Sequence, residues 1–189
     1  MGDTAMAQAL WAFGRGSGVA ALVVLTVAVV VGIAARSGRA IALPRSAIAD
    51  LHRGASLIAC TLVSIHVLSL LADPDAQLRL IDIVVPFAAD YRPVWMGLGT
   101  VAVDLLVAVV VSALLRHRLG PRTFRRIHWA AYGLWPVALI HALGTGTDAT
   151  RPWMLTIAGI CVLAVAAAVT WRTAADFTEF GRIQRRSAR

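Results

Sequence analysis

Four of the five histidines in this chain fall in two apolar stretches, and imidazole is the side chain best suited to hold a metal there. The first stretch, LHRGASLIACTLVSIHVLSLL (51–71), carries His52 and His66, 14 positions apart. The second, FRRIHWAAYGLWPVALIHALG (124–144), carries His128 and His141, 13 apart. Along a helix these separations are roughly 21 and 20 Å, and both fit a hydrocarbon core about 30 Å thick. Two such helices running in the same direction would offer two level pairs of imidazoles, one toward each membrane face. Imidazole is a strong axial ligand for haem iron, and ligation by two of them leaves no open position, which suits electron transfer over oxygen binding. The pattern predicts two b-type haems, with His52, His66, His128 and His141 as axial ligands. The plainer alternative, a membrane histidine that only hydrogen-bonds to a neighbouring helix, fits a single residue better than two level pairs. His117 lies in an Arg-rich connection and reads as solvated.

The two spacings differ in one respect. Fourteen positions bring His66 within about 40° of His52, but thirteen leave His141 roughly 140° from His128 on a straight helix. Pro136 lies between the latter two, and a kink or local rewinding there would bring both inward.

Other residues could serve the same site. Arg53 follows His52, and Arg125 and Arg126 precede His128, so all three are candidates to pair with haem carboxylates at the inner face. Arg15 is the corresponding outer candidate, although each arginine also suits ordinary anchoring at a membrane face. Asp104 interrupts GTVAVDLLVAVVV; at the bilayer centre a charge costs about 2.5–3.5 kcal/mol, so it is expected to face inward with a partner or a proton. It would act as a proton relay or bond to a ligating histidine, or else as a neutral carboxyl bonded to another helix. Trp129, Tyr132 and Trp135 would line haem edges or simply pack, and Trp11, Trp95, Trp153 and Trp171 read as interfacial residues.

The elements that must position these residues are long apolar helices. Of 189 residues 59% are hydrophobic and the mean hydropathy is +0.75, outside the range of most soluble domains. The unalternated runs favour helices over a barrel, so the chain is expected to be all-α: an integral membrane bundle of about five spans plus a short outer interfacial segment. Residues 1–18 read as an N-terminal segment outside the membrane, 19–172 as the membrane domain and 173–189 as a cytoplasmic polar tail. The spans are expected near 19–35, 51–71, 94–115, 124–144 and 152–171, with the Pro-interrupted stretch 73–93 lying over one face. The net charge is +8 and every basic side chain is arginine, clustered where apolar runs end. That is the positive-inside pattern and not a nucleic-acid groove; it places the N-terminus out and the C-terminus in, across the cytoplasmic membrane. The second and fourth spans then run parallel, as the histidine pairing requires. Cys60 and Cys161 lie within apolar runs without metal-ligand spacing and read as small buried hydrophobes.

LHRGASLIACTLVSIH, VPFAADYRPVWMGLG and RRIHWAAYGLWPVALIHALGTGTD together resemble the ferric reductase-like transmembrane family. It includes ferric reductases, NADPH oxidases and the bacterial haem-binding membrane subunit of a methionine sulfoxide reductase system. The resemblance implies haem ligation by the same four histidines. It departs from the full-length oxidases in having no Gly-rich dinucleotide motif and only about seventeen residues after the last span. A separate donor is implied (a flavoprotein, a diffusible flavin such as FMN, or a membrane quinol), together with a separate acceptor on the outer side. Two rivals stay open: a quinol-oxidising cytochrome b anchor of another dehydrogenase, and a haem-free transporter or assembly factor.

Overall fold

The computed structural model describes residues 2–37, 43–146 and 148–174. Those residues form seven helices: α1 (Gly2–Arg36), α2 (Arg45–Ala72), α3 (Leu80–Val84), α4 (Pro93–Leu114), α5 (Arg116–His128), α6 (Ala131–Thr145) and α7 (Pro152–Thr173). Four of them, α1, α2, α4 and α7, are long and apolar enough to cross a membrane. In such a solvent the backbone must satisfy itself, and long helices do so without help from water. Proline opens α4 and α7, where its missing N–H costs nothing.

The bundle is built from two closely packed helix pairs, α1 with α2 and α4 with α6, while α7 also packs on α1. Leu25, Ala59, Ala102, Leu134, Trp135 and Cys161 form the core between them. Within it the Trp135 indole N–H donates to Thr26 Oγ1 at 2.8 Å, and the Thr26 hydroxyl donates on to the Leu22 carbonyl at 2.8 Å. A buried indole without that acceptor would forfeit a hydrogen bond in an apolar interior. Trp135 therefore packs α6 on α1. Cys161 is buried as expected, whereas Cys60 is half-buried and lines a groove of about 400 Å³ between α2 and α4.

Three elements differ from the expectations. The first helix begins well before its apolar run, because the GRGSG stretch continues it instead of breaking it: glycines there let α2 approach α1. The basic connection 116–126 is helical, interrupted only at Gly120, whose φ of 72° is a backbone conformation that glycine adopts at little cost. The expected fourth span is broken into α5 and α6 at Trp129–Ala130 and not at Pro136, which lies inside α6. Around the break the backbone tightens to i→i−3 bonds, with Ala130, Tyr132 and Gly133 N–H donating to Ile127, Trp129 and Ala130 carbonyls at 2.9–3.0 Å. Such winding turns the chain further per residue than an α-helix does. Pro136 acts one turn away: its ring crowds the carbonyl four residues earlier, on Tyr132 in the tightened turn.

The stretch between α2 and α4 folds as the short helix α3, held by the Arg79 guanidinium, which bonds to both Asp82 oxygens at 2.9 and 3.1 Å. Asp82 is buried while Leu80, Ile81 and Val84 are exposed, so this segment turns its apolar residues outward. The Thr100 hydroxyl donates to the Asp82 carbonyl at 2.6 Å and ties α3 to α4.

Candidate functional site: two facing histidine pairs

His52 and His66 lie on α2, His128 ends α5, and His141 lies on α6. The structure brings them together by level. The His52 and His128 ring centres are 6.2 Å apart with planes at 80°, and those of His66 and His141 are 6.4 Å apart at 76°. The tightened turn at 129–133 adds rotation in the sense that a straight 13-residue spacing lacks. Because the lower-numbered histidines pair with each other, α2 and the α5–α6 segment run in the same direction.

Each ring on α2 is seated in the same way against antiparallel α1. His52 Nδ1 donates to the Ala28 carbonyl at 2.9 Å, and His66 Nδ1 donates to the Gly14 carbonyl at 2.6 Å. Four residues further along α1 stand Gly32 and Gly18, where a Cβ would lie 3.0 Å from the His52 ring and 2.9 Å from the His66 ring. The seats repeat at the 14-residue interval of the histidines themselves. On α4 the motif recurs: His141 Nδ1 donates to the Trp95 carbonyl at 2.8 Å, and a Cβ on Gly99 would come within 2.6 Å of its ring. A carbonyl can only accept, so Nδ1 carries the proton in these three rings and Nε2 keeps its lone pair. His128 has no such bond: its Nδ1 is buried without a partner among the described residues, with the Phe124 ring at 5.1 Å.

These distances have a chemical meaning. An ion held between two coaxial imidazole nitrogens, with bonds of about 2.0 Å and each nitrogen about 1.1 Å from its ring centre, separates the ring centres by about 6.2 Å. Both pairs fall close to that value, and near-perpendicular ring planes are compatible with a shared axis. Among the described residues no group of three or more His, Cys, Asp or Glu could hold a metal. A pair of imidazoles alone suits an ion whose remaining ligands arrive with it, as in a porphyrin. The residues present therefore fit haem.

The candidate cations divide. Arg53, Arg125 and Arg126 are exposed beside the His52–His128 level and make no ion pair among the described residues. Arg15 instead stacks over Trp11 at 3.9 Å and is ion-paired with Asp148, so its charge is already engaged. Asp104 does not face inward. It is exposed on α4, two positions and so roughly 160° around the helix from the buried Ala102, on the side away from α6. Trp129 is exposed and Tyr132 half-buried. Arg172, which the pattern of histidines gave no reason to single out, donates to the Tyr132 hydroxyl at 2.7 Å and stacks on both rings. It places the end of α7 level with His128. The glycine seats also escaped the sequence reading, although the recurrence of the 14-residue interval at Gly18 and Gly32 is a visible signal for them.

No curated protein and no solved structure gives a significant match to the chain. A family model does: residues 17–139 match the family described as Ferric reductase like transmembrane component. The matched stretch takes in His52, His66 and His128 and stops two positions short of His141. It covers well over half of the sequence, and such domains are generally haem-binding with a role in membrane electron transfer. This chain belongs to the ferric reductase-like transmembrane family.

Proposed function

We propose that this protein is a b-type dihaem cytochrome that carries electrons across the cytoplasmic membrane to an acceptor on the outer side, as the membrane subunit of a reductase system. The observation that carries the reading is the pair of ring-centre separations, 6.2 and 6.4 Å, each the span of one iron between two imidazoles. In this reading α5 and α6 together make a fifth span, the N-terminus is out and the C-terminus in. Arg36, Arg53, Arg126 and Arg172 lie toward the His52–His128 end, which the positive-inside rule makes cytoplasmic.

The bound groups supply the redox chemistry, a change of iron oxidation state at each level. The protein's own residues do the rest. His52 and His128 hold the inner level and His66 and His141 the outer, about 20 Å apart along the helices. Carbonyls of Ala28, Gly14 and Trp95 orient three of the rings and raise their basicity. Arg53, Arg125 and Arg126 offer guanidinium groups to the inner carboxylates. The apolar helices exclude water along the route. Donor and acceptor are separate molecules, the donor being a flavoprotein, a flavin or a quinol.

The test is a dithionite-reduced minus oxidised spectrum of the purified protein, with haem per chain from the pyridine haemochrome. A b-type spectrum with about two haems per chain, one lost in His66→Ala and the other in His52→Ala, is expected. Protein purified with ample haem supply that carries no Soret band would refute the reading.

A further inference from the structure

We infer that the two imidazole pairs are not equivalent, and that His128 is the one axial ligand of the four that exchanges. This rests on the dihaem reading and adds to it a difference between the two levels.

Three rings share one seat: an Nδ1–H bond to a carbonyl, and a glycine four residues further along the same helix. The fourth lacks both parts. His128 Nδ1 is buried without a partner among the described residues. The register of α4 shows why. His141 is seated by Trp95 and Gly99, and His128 lies 13 positions before it; in antiparallel α4 the matching positions are Ala108 and Ser112. Where each of the other three rings meets a glycine, the matching position here is a serine that is 2% exposed, its hydroxyl turned back to the Val109 carbonyl at 2.8 Å. His128 is moreover the last residue of α5, directly before the tightened turn, so its own backbone constrains it less than a mid-helix position would.

A second hydrogen bond fixes a ligating imidazole in orientation and makes it a stronger base, and its loss typically weakens metal binding 10–100-fold. His52, His66 and His141 have that support. In the reduced protein, carbon monoxide should therefore displace His128 alone: the bond from Nε2 to ferrous iron breaks, an iron–carbon bond forms, and no electron is transferred.

The experiment uses the full-length holoprotein. Haem content is measured first, then the dithionite-reduced spectrum is recorded with and without carbon monoxide. About half of the haem should react, and in the double variant His66→Ala/His141→Ala, which keeps only the His52–His128 level, the surviving haem should react fully. Ser112→Gly, which restores the glycine seat, should lower the reactive fraction several-fold. Two haems per chain with no reaction, or with reaction of both, would overturn the inference and leave the dihaem reading standing. So would an inert haem in the double variant or an unchanged reactive fraction in Ser112→Gly, which decides the matter alone if the double variant does not fold. A protein without haem would overturn both.

Discussion

Replacing Gly99 with alanine should dislodge His141 and, on the proposed dihaem reading, deplete haem at its level. The new Cβ would lie 2.6, 2.9 and 3.1 Å from three atoms of the ring, where ordinary contact begins at 3.4 Å. The ring must therefore retreat by about 0.8 Å, since a backbone-fixed Cβ has nowhere else to go. That retreat breaks its 2.8 Å bond to the Trp95 carbonyl and upsets the 6.4 Å separation from His66. Overpacking of this kind costs about 1–3 kcal/mol, and the lost bond adds about 1 kcal/mol. Together they correspond to a loss of haem affinity on the order of 100-fold at this level. The same change at Gly18 meets the His66 ring at 2.9 Å and should weaken the same level somewhat less. Gly32→Ala meets His52 at 3.0 Å and should affect the other level instead. Gly16 lies on α1 between Gly14 and Gly18 with nothing within 4 Å, so Gly16→Ala controls for helix propensity. The assay is haem per chain by pyridine haemochrome during graded wash-out, with circular dichroism to verify helicity. A Gly99→Ala protein that keeps both haems as tightly as Gly16→Ala would refute the argument that ring seating controls ligation.

Two further perturbations separate the site from its surroundings. Asp104 points away from both histidine pairs, so Asp104→Asn should leave haem content and both midpoint potentials unchanged in a redox titration; a shifted potential would return it to the electron route. The hydrogen bonds from Arg79 hold the Asp82 carboxyl below the usual carboxylate range. A depressed native value stabilises α3 fully above the unfolded value of about 3.9, and the stabilisation fades as pH falls through the native one. Hydrogen exchange across residues 79–90 should thus be flat from about pH 7 to pH 4 after correction for intrinsic rates, and should rise below that, whereas Asp82→Asn should exchange fast throughout. Equal profiles for the two proteins would show that the clamp does not hold the segment.

How much was legible in the sequence follows from what each feature depends on. Apolar run length depends on composition alone, so the helices 93–114 and 152–173 lie within a residue or two of where the runs place them. The histidine levels were likewise readable, because the 14- and 13-residue intervals are one-dimensional spacings and the parallel orientation follows from where the arginines cluster. The direction of a side chain around a broken helix was not. His128 and His141 reach the same side across a helix break at 129–130 and a tightened turn whose i→i−3 bonds arise before Pro136 and not at it. The first helix runs through the GRGSG stretch ahead of its apolar run although glycine lowers helix propensity, and at Gly18 the missing side chain admits a ring from another helix. Asp104 was expected inward on energetic grounds, whereas its position is set by which face of α4 packs on α6.

The sequence by itself thus determined the chemistry available, two level pairs of imidazoles in an apolar sheath with arginines at one end, since residue type and spacing along a helix carry that information. Only the tertiary structure decided how the rings are held. Carbonyls of Gly14, Ala28 and Trp95 accept from them, and Gly18, Gly32 and Gly99 make room for them, each from a helix distant in sequence. Backbone carbonyls are present at every residue and so leave no mark in a sequence; which of them meets an imidazole is settled by the register of two packed helices. That register also leaves His128 without a seat.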